Sequence, residues 1–184
     1  RLKKENLAVF IEEAIAATHF LSEDEHRSLP DPGLYYKGEA VNMQTVDPGF
    51  DGLTPQNKIE QAFSTEKEIL GKDKRIISVS AGYSDMLSER VMVTSNGFEG
   101  DSSRSFYGLQ AQVSVNGGNE RPESYWSESA LFYDQLKKEG VGKQAMERAI
   151  RKIGQRKVAS GQIPMIVENR QVGRLLSPLI SALS

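Results

Sequence analysis

The side chains of this sequence that could do chemistry are few, and their spacing decides what kind. The only histidines are His19 and His26, and there is no cysteine. Disulfide frameworks, thiolate nucleophiles and sulfur-ligated zinc or iron sites are therefore excluded, as is a centre needing two histidine ligands plus a third neutral base. Glu23-Asp24-Glu25 stands beside His26, yet neighbours in a loop share no common focus for an ion, and a solvated loop is expected. Serine catalysis requires a base within reach and an oxyanion site, and no G-x-S-x-G elbow occurs. Asp85, Glu89, Asp101 and Glu123 could in principle supply a carboxylate pair for glycoside chemistry, although spacing brings no two of them together.

Binding chemistry has more to work with. Asn96-Gly97, inside Thr94-Ser95-Asn96-Gly97-Phe98, marks a tight turn because both residues tolerate positive φ. It reads as a structural hairpin or, alternatively, as the border of a peptide groove in which a sheet edge accepts an added strand. Tyr125 and Trp126, the latter the only tryptophan, lie near Glu123 and Glu128. They read either as core or as an aromatic contact wall with an acidic rim. Arg148, Arg151, Lys152, Arg156 and Lys157 form a basic run without interleaved aromatics and with Glu147 among them, the pattern of a solvated helix face rather than a nucleic-acid grip.

These residues must be positioned by elements that the periodicity outlines. Leu7, Phe10, Ile11, Ala14 and Thr18 recur at three- and four-residue steps, predicting an amphipathic helix from Lys4 to Leu21. Ser28 to Asp51, with Pro30, Pro32, Gly33, Gly38, Pro48 and Gly49, reads as a long surface connection. Thr54 as N-cap and Pro55 at the first helical position open a second helix that Gly71 ends. Four strand-like runs follow: Ile77 to Ala81, Arg90 to Thr94, the strict alternation from Tyr107 to Val115, and Ser124 to Phe132. Val141, Ala145, Ala149, Ile150 and Ile153 mark a third helix that should pack on the sheet. Ile163 to Val167 reads as a short buried strand, and Asn169 to Leu183 as an apolar helix interrupted by Pro178. The fold class is α+β, an antiparallel β-meander of about four strands packed with three to four helices. The chain divides into 1–52 (helix and connection), 53–160 (helix, meander and helix) and 161–184 (strand and apolar helix).

The 184 residues suit one domain, or one plus part of another, with a formal net charge of −2 that gathers no polyanion. No apolar run approaches the roughly 20 residues of a membrane helix. The opening at Arg1 and the uncapped apolar stretch Leu175 to Ser184 suggest a portion of a longer chain.

Five segments stand in a distinctive order: Leu29-Pro30-Asp31-Pro32-Gly33-Leu34-Tyr35, Leu53-Thr54-Pro55, Ser95-Asn96-Gly97-Phe98, Glu123-Ser124-Tyr125-Trp126-Ser127-Glu128-Ser129, and Ile153 through Pro164. Together they resemble the TldD/PmbA family, closest to its PmbA branch. The resemblance implies a cytoplasmic peptidase system of paired subunits, long labelled a modulator of DNA gyrase, with this chain as a central portion. In the TldD-type subunit an H-E-x-x-x-H zinc helix follows a G-x-L-L segment. Here Gly173-Arg174-Leu175-Leu176 is followed by Ser177 and Pro178, with Ala182 at the second histidine position, so neither ligand nor general base is present. The resemblance thus implies no cofactor in this chain and zinc only in a TldD-type partner. The expected partners are that metallopeptidase subunit or a second copy in a homodimer, with a peptide or unfolded protein as substrate. Nucleic acid and membrane are not expected, and the candidate contact residues are Asn96, Gly97, Phe98, Tyr125 and Trp126. Two alternatives stand beside this reading: a self-sufficient peptidase using residues outside this chain, and a gyrase- or DNA-associated binding protein.

Overall fold

A computed structural model describes residues 6–39 and 41–183. Its centre is one antiparallel sheet of β1 (Ile76–Val93), β2 (Glu99–Val115) and β3 (Glu123–Ala130), in that spatial order. Alternation along β2 decides its two faces. Tyr107, Leu109, Ala111, Val113 and Val115 are all 0–1% exposed, whereas Gln110 and Gln112 between them face solvent. The α+β class is as expected, but the sheet has three strands rather than about four. Ile77 to Ala81 and Arg90 to Val93 belong to a single strand, which pairs without a break from Val79↔Val113 to Val93↔Glu99, with Thr94 already in the turn. Gly82, Ser84 and Ser88 interrupt its apolar pattern because one face of the sheet carries no helix, so small polar residues stand there without penalty.

Two further expectations are corrected. β3 ends at Ala130, opposite Tyr107, and Phe132 instead caps, and Tyr133 opens, a short 3-10 turn at Tyr133–Gln135. The buried strand at Ile163 to Val167 is not formed: this segment has no regular structure, and Ile166 is 99% exposed. A strand needs a neighbour for its main-chain groups, and among the described residues none lies beside this one.

The covered face of the sheet carries α2 (Pro55–Lys67) and α3 (Val141–Arg151), α2 over β1 and α3 over β2 and β3. α2 starts as the sequence predicts, with Thr54 Oγ1 accepting from the Asn57 amide at 3.2 Å and Asn57 Oδ1 accepting from the Thr54 amide at 3.1 Å. Val141, Ala145 and Ala149 of α3 are buried on the sheet, together with Ile69 and Leu136. The two helices are joined by Glu68, whose carboxylate accepts from the amides of Gly140 at 2.7 Å, Gly142 at 2.8 Å and Lys143 at 3.2 Å. These are donors that a helix N-terminus leaves without an internal partner, and a negative charge there is favourable. The approach is close because position 142 lacks a side chain. A β-carbon there would strike the Thr65 carbonyl oxygen, with Ile69 Cγ1 at 2.9 Å.

α1 (Leu7–Thr18) and α4 (Asn169–Ala182) form where periodicity placed them, α4 running straight through Pro178, but neither has a buried residue. Lys4 and Ser184, which bound the predicted first helix and last segment, lie outside the described residues. Leu7, Phe10, Ile11 and Ile15 of α1 are exposed, as are Leu175, Leu176, Leu179 and Ile180 of α4.

The α2–α3 contact gives a direct expectation. Gly142→Ala forces the two helices apart and destabilises the fold by roughly 1–3 kcal/mol, as overpacking does. A urea-unfolding midpoint equal to that of the unsubstituted protein would contradict it.

Candidate functional site

The turn containing Asn96 and Gly97 closes the β1–β2 hairpin. Phe98 O accepts from the Thr94 amide at 2.9 Å and Thr94 O from the Gly97 amide at 3.1 Å. Only Gly97 takes positive φ, +90°; Asn96 contributes its side chain instead. Asn96 Oδ1 accepts from Thr94 Oγ1 at 2.6 Å, and Nδ2 donates to the Pro30 carbonyl at 2.7 Å. The same carbonyl accepts from the Tyr35 hydroxyl at 3.2 Å, and the Tyr35 ring stands edge-on to Phe98 with centroids 5.2 Å apart. The hairpin tip is therefore clasped by residues 30–35 of the long connection.

From there the connection follows the outer edge of β2. Where β3 has ended, Thr45 takes its place: Thr45 O accepts from the Ser105 amide at 3.0 Å and Thr45 Oγ1 donates to Ser103 O at 2.6 Å. Asp47 then fixes the strap. Its carboxylate accepts from the Tyr133 amide at 2.8 Å and from the Gly49 amide at 2.8 Å. Those two donors, Tyr133 first, hold the carboxyl below the ordinary aspartate range. Behind it the Tyr107 ring packs between Phe50 and Tyr133, at 5.7 and 5.6 Å. Burial first, then the Asp47 carboxylate, pushes its phenol upward.

Tyr125 and Trp126 lie on β3, which is an edge strand. Adjacent residues of a strand project to opposite faces, so the two do not make one wall. Tyr125 is half-exposed on the uncovered face opposite Gln112, while Trp126 is half-buried on the helix side opposite Ala111. Both border a cleft of about 670 Å³ that runs along the whole of residues 123–129 and is walled by Arg148 of α3, by Lys152 at its C-terminal cap, and by Glu168, Arg170 and Gln171.

The indole organises the charges of this cleft. The Arg170 guanidinium lies 3.9 Å above the ring and that of Arg148 at 5.0 Å, within cation–π range. Trp126 Nε1 donates to Glu128 Oε1 at 2.9 Å, and Arg170 Nη2 donates to Glu128 Oε2 at 2.8 Å. Arg148 forms a two-pronged pair with Glu168, both bonds 3.0 Å. That pairing lowers the Glu168 pKa and raises that of Arg148. Arg170 and Glu168 carried no signal in the sequence, because Arg170 meets β3 only after some forty residues of intervening chain and Glu168 meets Arg148 only after some twenty. Arg148 and Lys152 stood out as part of a basic run, but two of its members are turned onto β3 rather than out to a polyanion.

Of the other candidates only Glu89 and Asp101 come onto one face within a register step of each other, on the exposed hairpin. Asp85 is ion-paired with Lys58 at 2.6 Å and accepts from the Tyr83 hydroxyl at 3.2 Å. Glu123 accepts from Gln112 at 2.5 Å, while Glu89 and Asp101 face Ser103 and Val91 across the exposed hairpin. His26 and its acidic neighbours lie in an exposed loop. On α4, Ser177 Oγ donates to Arg174 O at 3.1 Å, and Pro178 and Ala182 offer no metal donor. The residues at the three positions that the resemblance equates with a zinc centre therefore do not fit one. Among the described residues no group of three or more histidine, cysteine or acidic side chains is placed to hold a metal, and no helix is long and apolar enough to cross a membrane.

Residues 48–153 match the family described as the PmbA/TldA metallopeptidase central domain. The chain belongs to the PmbA/TldD family. A crystal structure described as a "putative modulator of DNA gyrase" from Bacteroides thetaiotaomicron superposes over 100% of the chain with a TM-score of 0.86 and 44% identity. A second of the same description from Thermotoga maritima covers 82% of the chain with a TM-score of 0.59 and 24% identity, a likeness of fold. The chain spans 42% of the Bacteroides chain and 33% of the Thermotoga one. A search of curated proteins finds no match.

The strap yields two expectations. Asn96→Ala removes the tie to Pro30, and amide exchange at residues 31–36 should rise relative to the unsubstituted protein while the β2 amides stay protected; unchanged exchange would contradict the clasp. Because the folded pKa of Asp47 lies below its unfolded value near 3.8, its contribution is complete above that unfolded value and disappears as pH falls through the folded one. Asp47→Asn should therefore flatten the acid-side loss of stability below about pH 4. An unaltered acid limb in pH-dependent unfolding would remove this role.

Proposed function

We propose that this region of a PmbA/TldD-family protein is a metal-free scaffold that receives an extended peptide or unfolded chain along its sheet for cleavage by a metal-bearing, TldD-type partner subunit. The observation that carries this reading is the outer edge of β3, which pairs with no strand among the described residues and lies along a cleft bordered by Tyr125 and Trp126. A sheet edge recognises a peptide by main-chain hydrogen bonds and so tolerates many sequences, which suits processing of unfolded substrates. The family description, a metallopeptidase, supports peptide chemistry. The donor-poor side chains Ser177, Pro178 and Ala182 support assigning the metal to a partner rather than to this chain. An assembly of two subunits, and a reducing cytoplasmic setting consistent with a cysteine-free sequence, belong to the same reading.

The test is direct. Elemental analysis of the full-length protein should find no stoichiometric zinc, and an unfolded peptide should be cleaved only after the metal-bearing partner is added. Cleavage by the protein alone would overturn the proposal.

A further inference from the structure

We infer that Arg170 and Lys152 gate the outer edge of β3, so that the start of α4 and an extended peptide backbone compete for the same main-chain groups. This rests on the reading of β3 as a peptide acceptor and adds the group that controls access to it.

Pro122 O accepts from the Val115 amide at 3.0 Å, so Ser124, Trp126, Glu128 and Ala130 turn their main-chain groups to β2, opposite Val113, Ala111, Leu109 and Tyr107. The main-chain groups of Glu123, Tyr125, Ser127 and Ser129 then point away from the sheet, into the cleft. Two of those outward carbonyls are taken by cations from elsewhere in the fold: Lys152 Nζ donates to Glu123 O at 2.6 Å and Arg170 Nη1 to Ser127 O at 2.7 Å. Charged side chains are a usual guard for a sheet edge, as are proline and bulges. Here the guard is of the reversible kind only. β3 contains no proline, and its pairing with β2 has no bulge, so the strand beneath the two cations keeps a geometry that can accept another strand.

Arg170 is also suited to leaving. α4 has no buried residue, and what holds its first turn on β3 is polar: Arg170 on Ser127 O, Glu128 and the Trp126 ring, and Glu168 on Arg148. Contacts of this type, with little apolar area behind them, open locally at low cost. When Arg170 releases Ser127, the outward groups of Tyr125, Ser127 and Ser129 become a continuous ladder, while Glu128 and the indole still hold the displaced guanidinium nearby.

Trp126 is the only tryptophan, so its emission reports on this place alone. The experiment titrates the protein with an uncharged strand-forming probe, acetyl-(Thr-Val)3-amide, reading Trp126 emission and the heat of binding. Arg170→Ala should bind the probe about tenfold more tightly than the unsubstituted protein, the worth of one charge-assisted hydrogen bond no longer displaced. Lys152→Ala should shift affinity in the same direction, and Arg174→Ala, one turn along α4, should not. A variant that merely loosened the fold would not gain affinity. Equal or weaker binding by Arg170→Ala overturns the gate while leaving β3 a peptide acceptor. No binding by the unsubstituted protein, Arg170→Ala or Lys152→Ala overturns both the gate and the acceptor reading.

Discussion

The carboxylate of Glu68 on the first turn of α3 is the interaction from which the rest of the arrangement follows. A three-stranded sheet with one covered face needs two helices side by side on that face, and here they are set by a single acid at the end of α2 accepting from the amides of Gly140, Gly142 and Lys143. The absence of a side chain at Gly142 allows the helices to meet at the Thr65 backbone. Once α3 is fixed there, Val141, Ala145 and Ala149 close over the apolar side of β2, while Arg148 on the same helix and Lys152 at its C-terminal cap reach over β3. The electrostatics of the cleft are thus a consequence of how two helices are joined some distance from it.

The sheet itself is used asymmetrically. Its long hairpin projects beyond the end of β3, and an edge so exposed has to be occupied or guarded. The chain does this in two ways. Along β2 the proline-rich connection lies as a strap, tied at Asn96 and Thr45 and fixed at Asp47, so an irregular segment replaces the missing strand. Along β3 the guard is a pair of cations on main-chain carbonyls. The first solution is knit into the buried cluster around Tyr107, whereas the second rests on exposed polar contacts. That contrast is why the proposal puts an extended chain at the β3 edge rather than at the hairpin tip.

The family relationship and the geometry meet at this point. The chain belongs to a metallopeptidase family, and its α4 carries serine, proline and alanine at the positions equated with metal ligands; the outer edge of β3 pairs with no strand among the described residues, and it is there that the proposed reading puts main-chain recognition.

What the sequence determined by itself was whatever depends on neighbours along the chain. The alternation from Tyr107 to Val115, the Thr54-Pro55 helix start, the Asn96-Gly97 turn and the stripe of α3 each encode a local geometry, and each is realised. The family was legible too, because its motifs are ordered segments. Tertiary structure decided what depends on who lies alongside. β1 is one strand because β2 pairs with all of it, despite its polar middle; Ile163 to Val167 is no strand because nothing pairs with it. Trp126 and Tyr125 part to opposite faces through strand parity, and Arg170 reaches Ser127 only because the chain returns after a long excursion. Periodicity reports which face of an element is apolar; it carries no information about which distant backbone or charge will stand opposite, since that is set by packing between elements rather than by bonds along them.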